Sequence, residues 1–237
     1  MKTQILILHG WGSSGDAFGR LKKILEEKGF IIFNPDLPGF GKSDVPTSPQ
    51  TIDDYVSFVR NYILKNGLNN FVILGHSFGG RIAIKLASTG DYGIKALILA
   101  GVPGVNPIPG VKIFLFGLLS KIGKLILSPF PTHIQNMGKR ILYRSSGSTD
   151  YLKAEGVMKD TLKSVVKEDL IMPMRNISVP VYLIWGTNDR TVPLSVARKM
   201  SKELKEAKLI ELPGGHKLPY ENPVEFASEV IDILNQI

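Results

Sequence analysis

Phe71-Val72-Ile73-Leu74 runs without a break into Gly75-His76-Ser77-Phe78-Gly79. Four apolar residues, too few for a helix, end in a G-x-S-x-G turn, and a helical pattern follows from about Gly79 to Ser88. A strand that enters such a turn and leaves as a helix holds its serine out of the sheet, and glycines flank the serine because the turn has no room for side chains. The pentapeptide alone is weak, because Gly and Ser are common residues. The surrounding chain gives it meaning.

Short apolar, β-branched runs recur at Gln4 to Leu8, Phe30 to Phe33, Phe71 to Leu74, Ala96 to Ala100, Val181 to Trp185 and Lys208 to Leu212. Continuous runs of this kind suit strands buried on both faces of a parallel sheet. Helical patterns lie between them. The first starts near Asp16 as a candidate N-cap, carries Phe18, Leu21, Ile24 and Leu25 on one face, and ends at Gly29. The second opens at Thr51 with Asp54 three residues on, an approximate capping box, and stops at Gly67. Pro193 and Pro223 suit the first positions of two later helices, the second behind Asn222 as cap. Alternating strands and helices predict an α/β fold, a mostly parallel doubly wound sheet with helices on both faces.

The alternation breaks once. Gly101 to Gly110 holds Pro103, Pro107 and Pro109, and the rhythm resumes only at Val179. The segment between has helical, amphipathic stretches such as Ile113-Phe114-Leu115-Phe116 and Leu125-Ile126-Leu127. The expected organisation is a core of residues 1–102 and 177–237 with a helical cap inserted at 103–176. Of the net charge of +8, +6 falls between Pro103 and Arg175, where eleven Lys and Arg face five acids. Such an excess attracts acidic partners, while a solvated face that aids solubility is the simpler account.

With 237 residues, 43% hydrophobic and 21% charged, the chain suits one globular domain. The absence of cysteine excludes disulfides, thiolate metal sites and thiol redox chemistry, which is consistent with a cytoplasmic protein. The apolar run at the amino terminus is too short for a signal peptide, and no run of 18 apolar residues predicts a transmembrane helix. No basic-aromatic pattern points to nucleic acid. None of the glycines at 39, 41, 79 and 80 stands with a Lys-Ser/Thr pair in the strand-loop-helix frame of a phosphate loop.

Several motifs together resemble the α/β-hydrolase family. They are His9-Gly10-Trp11-Gly12 after the first strand, the elbow at Ser77, the interruption, Asp189 in Gly186-Thr187-Asn188-Asp189, and His216 in Gly214-Gly215-His216. Their order, Ser, Asp, His, is that of the family. Asp36-Leu37-Pro38-Gly39-Phe40-Gly41-Lys42-Ser43 is similar to its D-x-x-G-x-G-x-S loop. The resemblance implies an α/β-hydrolase fold without the two antiparallel strands that usually precede the His-Gly strand. It leaves a sheet edge near the N-terminus open, covered by cap elements, or paired in a homodimer.

The resemblance also implies roles. A serine hydroxyl needs a neighbouring base before it attacks a carbonyl, and His216 can supply it. Asp189 would fix the imidazole tautomer, and no carboxylate follows the preceding strand at Ala100-Gly101-Val102-Pro103. The backbone N–H groups of Trp11 and Phe78 would form an oxyanion hole worth about 3 kcal/mol per donor. Trp11, His76 and Phe78 are candidates for lining the substrate pocket, although His76 also suits a packing role. His9 suits ordering of its turn, His133 an exposed place in the cap, and Asp36 and Asp44 hydrogen bonds within the Gly-rich loop.

A serine at the elbow excludes the family branches that use aspartate there. The expected activity is carboxylic ester hydrolysis, by an esterase or lactonase, through an acyl-serine and without metal or cofactor. The early motifs also look like the pimeloyl-carrier methyl esterase branch, which adds an acidic carrier protein as a candidate partner of the basic cap. The alternatives are carbon-carbon hydrolysis of ring-cleavage diketones, or a hydrolase-fold binding protein with negligible turnover.

Overall fold

The structure, a computed structural model, describes residues 2–90, 92–105 and 154–237. Elements are numbered over these residues. Six strands form one sheet: β1 (Gln4–Leu8), β2 (Ile31–Phe33), β3 (Phe71–His76), β4 (Ile94–Ala100), β5 (Val181–Gly186) and β6 (Ala207–Leu212). Their order is β2-β1-β3-β4-β5-β6, and every pairing is parallel. The helices are α1 (Gly19–Glu27), α2 (Ile52–Lys65), α3 (Phe78–Ser88), α4 (Gly156–Lys167), α5 (Ile171–Asn176), α6 (Leu194–Glu203), α7 (Leu218–Glu221) and α8 (Pro223–Leu234).

Strand periodicity divides the apolar runs between two cores. Leu6, Leu8, Ile73, Leu97, Leu99, Leu183 and Trp185 face one side, where Val56 and Val59 of α2, Ile82 of α3 and Val196 of α6 cover them. Ile5, Ile7, Val72, Leu74, Ile98 and Ile184 face the other, under Leu21 and Leu25 of α1 and Phe226 and Val230 of α8. Both faces are dry, which explains why these strands read as unbroken apolar runs.

The chain leaves β1 towards β2 on one side and leaves β3 towards β4 on the other. Where strand order reverses in this way, the loops at the carboxyl ends part and open a crevice. His9-Gly10-Trp11 follows β1 and Ser77 follows β3, so both stand at that crevice. The edge beside β1 is the three-residue β2, where Ile31 is 40% exposed; a strand this short offers few unpaired backbone groups to another chain.

Two helix starts differ from the expectation. Gly15–Phe18 is a 3-10 turn ahead of α1, and Ser14 rather than Asp16 occupies its cap position. Tertiary contacts set this entry: Gly15 donates to Asp36, and a Cβ on Gly15 would stand 2.2 Å from the Asn34 carbonyl oxygen. Pro193 precedes α6 as its cap residue, because its ψ of 148° is extended. The capping box of α2 is complete, with Thr51 and Asp54 exchanging bonds between side chain and backbone. Pro223 opens α8 behind Asn222.

Of the expected insertion, residues 106–153 lie outside the described residues, together with His133 and most of the basic side chains. Its described part rests on α3. The buried Arg81 guanidinium donates to the carbonyls of Pro103, Val165 (2.9 Å) and Glu168 (2.6 Å), and Lys85 pairs with Glu168 at 2.6 Å. No described helix is long and apolar enough to cross a membrane.

Candidate active site

Ser77 sits at φ 49° and ψ −113°, and among the described residues only Asn70 is another non-glycine with positive φ. An L-residue there is strained, and close packing maintains it. A Cβ on Gly75 would lie 2.6 Å from Gly80 Cα, and one on Gly79 would lie 2.2 Å from the Leu8 carbonyl oxygen. The glycines therefore let α3 close onto β1 and β3. Ser77 N–H donates to the Ala100 carbonyl at 2.9 Å, fixing the turn to the end of β4.

Asp189 lies past β5, its side chain only 1% exposed. Its Oδ1 accepts from the backbone N–H groups of Thr191 and Val192, both at 2.8 Å. Trp185 closes the same loop by donating its indole N–H to the Val192 carbonyl at 2.8 Å. Oδ2 is thereby directed at His216 Nδ1, 2.8 Å away, and His216 Nε2 stands 3.2 Å from Ser77 Oγ. A carboxylate only accepts, so Nδ1 carries the proton and the Nε2 lone pair faces the hydroxyl. This is the arrangement in which an imidazole can take a proton from serine.

Gly101, the first residue after β4, packs directly against the Asp189-His216 pair. Gly101 has φ +57°, and a Cβ there would stand 3.0 Å from His216 Nδ1 and 3.4 Å from Asp189 Oδ2. The space that a side chain would need is occupied by the imidazole and the carboxylate themselves.

The turn after β1 abuts Ser77, since a Cβ on Gly10 would lie 3.4 Å from Ser77 Cβ. Ser13 N–H closes this turn onto the Gly10 carbonyl at 3.2 Å, around Trp11. Phe78 is the first residue of α3, where the helix dipole favours negative charge. His9 is buried; its Nε2 accepts from Leu37 N–H at 3.0 Å and its Nδ1 reaches the Gly10 carbonyl at 2.9 Å. Burial lowers its pKa, keeping it neutral. Burial acts upward on Asp36, but the N–H groups of Lys42 and Gly15 outweigh it and hold the carboxyl below its ordinary pKa.

A cleft of about 800 Å³ opens over Ser77 and His216. Trp11, Phe40, Val45 and Met158 give it an apolar wall, and Ala154, Glu155 and Met158 come from the inserted segment. His76 and Tyr220 also line it. The Phe78 ring does not: it is 4% exposed and packs edge-on against Trp11 and Tyr55, because α3 directs its first side chain into the core. Tyr220 was not among the expected residues. Its signal was the spacing of four from His216, which lays both on the same side of the chain as it enters the short helix α7. Among the described residues no cluster of three His, Asp or Glu side chains could hold a metal ion.

Residues 5–229 match the model of the Alpha/beta hydrolase family. The AB hydrolase superfamily protein YisY of Bacillus subtilis is 25% identical over 98% of this chain and 91% of its own. The pimeloyl-[acyl-carrier protein] methyl ester esterase of Pectobacterium atrosepticum is 25% identical over 97% of this chain and 93% of its own. A Pseudomonas putida 2-hydroxy-6-oxononadienedioate/2-hydroxy-6-oxononatrienedioate hydrolase is also 25% identical, over 98% and 88%. Among solved structures, the esterase EaEST of Exiguobacterium antarcticum superposes with a TM-score of 0.75 at 22% identity, covering 98% of this chain and 92% of its own. A parallel sheet with the serine turn at its reversal point, and a family match over nearly the whole length, make this chain a member of the alpha/beta hydrolase family.

Proposed function

We propose that the protein is a serine hydrolase of carboxylic esters, with Ser77 as nucleophile, His216 as general base and then acid, and Asp189 as the group that orients and stabilises the imidazole. The observation that carries this is the continuous contact from Asp189 Oδ2 through His216 to Ser77 Oγ, at 2.8 and 3.2 Å, on a strained turn that faces the cleft. His216 removes the hydroxyl proton as Ser77 attacks the carbonyl, and the oxyanion is received by the backbone N–H groups of Trp11 and Phe78. Return of the proton to the alcohol leaves an acyl-serine, which water hydrolyses by the same steps in reverse. The segment 103–176 acts as a cap, a role supported by the three of its residues that line the cleft. The apolar wall favours hydrophobic acyl or alcohol groups, including lactones.

A series of p-nitrophenyl esters of increasing acyl length, compared with Ser77→Ala, tests the assignment. Turnover in the parent and none in the variant is expected, and equal turnover in both removes Ser77 from the mechanism. The Pseudomonas putida relative supports a second reading, carbon-carbon hydrolysis, and a ring-cleavage diketone belongs in the same assay. The Pectobacterium relative and the basic segment support an acidic carrier protein as the vehicle of the ester. Hydrolysis of a carrier-linked methyl ester should then fall as salt rises, and salt-insensitive turnover argues against a carrier.

A further inference from the structure

The elbow carries a second histidine whose contacts the hydrolytic steps above do not use. His76 is 3% exposed, and each ring nitrogen has a defined partner. Nε2 lies 2.8 Å from the backbone carbonyl oxygen of His216, and Nδ1 lies 3.0 Å from the Tyr220 hydroxyl. Gly10 presses on the same edge, because a Cβ there would meet Nδ1 at 2.9 Å. The Tyr220 hydroxyl is also influenced by hydrogen bonding from the Ser13 side chain and the Gly10 backbone, within the turn that holds Trp11.

The chemistry of these partners sets a direction. A carbonyl oxygen only accepts, so the single proton of a neutral His76 lies on Nε2 and Nδ1 must accept. Tyr220 O–H therefore donates to His76, and His76 Nε2–H donates to the carbonyl of the residue that carries the candidate base. Burial first, and the neighbouring His216 second, push the pKa of His76 down to about 3, so the ring stays neutral. Burial also raises Tyr220 to about 12, so its hydroxyl keeps its proton. Both groups hold the protonation states that the chain of bonds requires.

We propose that His76 and Tyr220 form a positioning pair, which clamps the backbone of His216 from beneath and ties the serine elbow, the His216 loop and the turn after β1 into one unit. Asp189 fixes the imidazole from its Nδ1 side, and the pair fixes the main chain from which that imidazole projects. The Gly214-Gly215 approach to His216 is held by Asn188 N–H on the Gly214 carbonyl at 2.9 Å and Leu218 N–H on the Gly215 carbonyl at 3.2 Å, and the bond from His76 adds a restraint at the His216 carbonyl itself. Displacement of the base by about 1 Å is enough to cost on the order of 10²-fold in rate.

The inference rests on the serine-hydrolase reading, and Ser77→Ala is the control that separates the two. Tyr220→Phe removes only the hydroxyl, His76→Gln keeps a donor near the Nε2 position, and His76→Leu removes both bonds. On a p-nitrophenyl ester, kcat should fall about tenfold in Tyr220→Phe and on the order of 10²-fold in His76→Leu, with KM within about twofold of the parent and partial recovery in His76→Gln. The rate of Ser77 phosphonylation by a fluorophosphonate should fall in the same order. Parent-like kcat in both Tyr220→Phe and His76→Leu, with Ser77→Ala inactive, overturns the positioning role alone. A rise in KM with kcat unchanged overturns it in favour of substrate contact. Activity lost only in proportion to the fraction unfolded, measured by circular dichroism, overturns it in favour of a purely structural role. A fully active Ser77→Ala overturns the underlying reading instead.

Discussion

Single residues account for most of the geometry around Ser77. Asp189 Oδ1 is saturated by two backbone N–H groups, which leaves Oδ2 one direction in which to act. Replacement by Asn keeps the shape but presents the wrong tautomer to Ser77, and Asp189→Asn should lower kcat on an ester by on the order of 10⁴-fold with the melting temperature nearly unchanged. Gly101 gives a second test, because its Cβ would crowd both His216 and Asp189. Gly101→Ala should reduce kcat on the order of 10²-fold by displacing the imidazole, and an unaffected kcat would show that the site tolerates the shift. The convergence of Ser77, Asp189 and His216 on one place was legible because each stands in a short motif at the end of a readable strand, in an informative order; their catalytic roles are the proposal. Tyr220 and the role of Gly101 were not legible, because their meaning lies in contacts across the crevice that no local pattern encodes. The Phe78 ring departs from the expectation for a related reason: being next to the nucleophile in sequence does not decide which way a helix's first side chain points.

At the scale of elements, the strands were the clearest features, since burial on both faces leaves unbroken apolar runs. The α2 boundary was equally clear, because Thr51 and Asp54 form a purely local device. Thr51→Ala should cost about 1 kcal/mol. In a chain of this size that corresponds to a melting temperature lower by about 2–4 °C, with kcat unchanged because α2 contributes no residue to the cleft. The start of α1 was obscured because it depends on Asp36 and Asn34, about twenty residues away in the chain. A helix whose entry is set by another loop carries no cap signature of its own.

For the molecule as a whole, two neutral histidines buried under the crevice couple folding to pH. The folded-state pKa of His76 is pushed down to about 3, and that of His9 is lowered, in each case first by burial. The unfolded chain binds these protons near pH 6.5, so below that value it holds more protons than the folded state and stability falls as pH falls. For His76 the loss approaches about 1.4 kcal/mol per pH unit below the unfolded value, and His9 adds to it in the same direction. Urea denaturation at about pH 7.5 and about pH 5.5 should show the loss, and His76→Gln should shrink it by roughly the contribution of one histidine. An identical loss in parent and variant would mean that His76 titrates normally in the fold.

Ester hydrolysis at this site requires that Ser77 become acylated. Rapid acid quenching of a p-nitrophenyl ester reaction, followed by peptide mass spectrometry, tests it directly. One acyl group per chain is expected on the peptide containing Ser77, and it should be lost when Ser77 is replaced by Ala and strongly reduced when His216 is replaced by Gln, because the hydroxyl then has no base to take its proton. Steady turnover with no adduct on that peptide, or with the adduct on another residue, would contradict it.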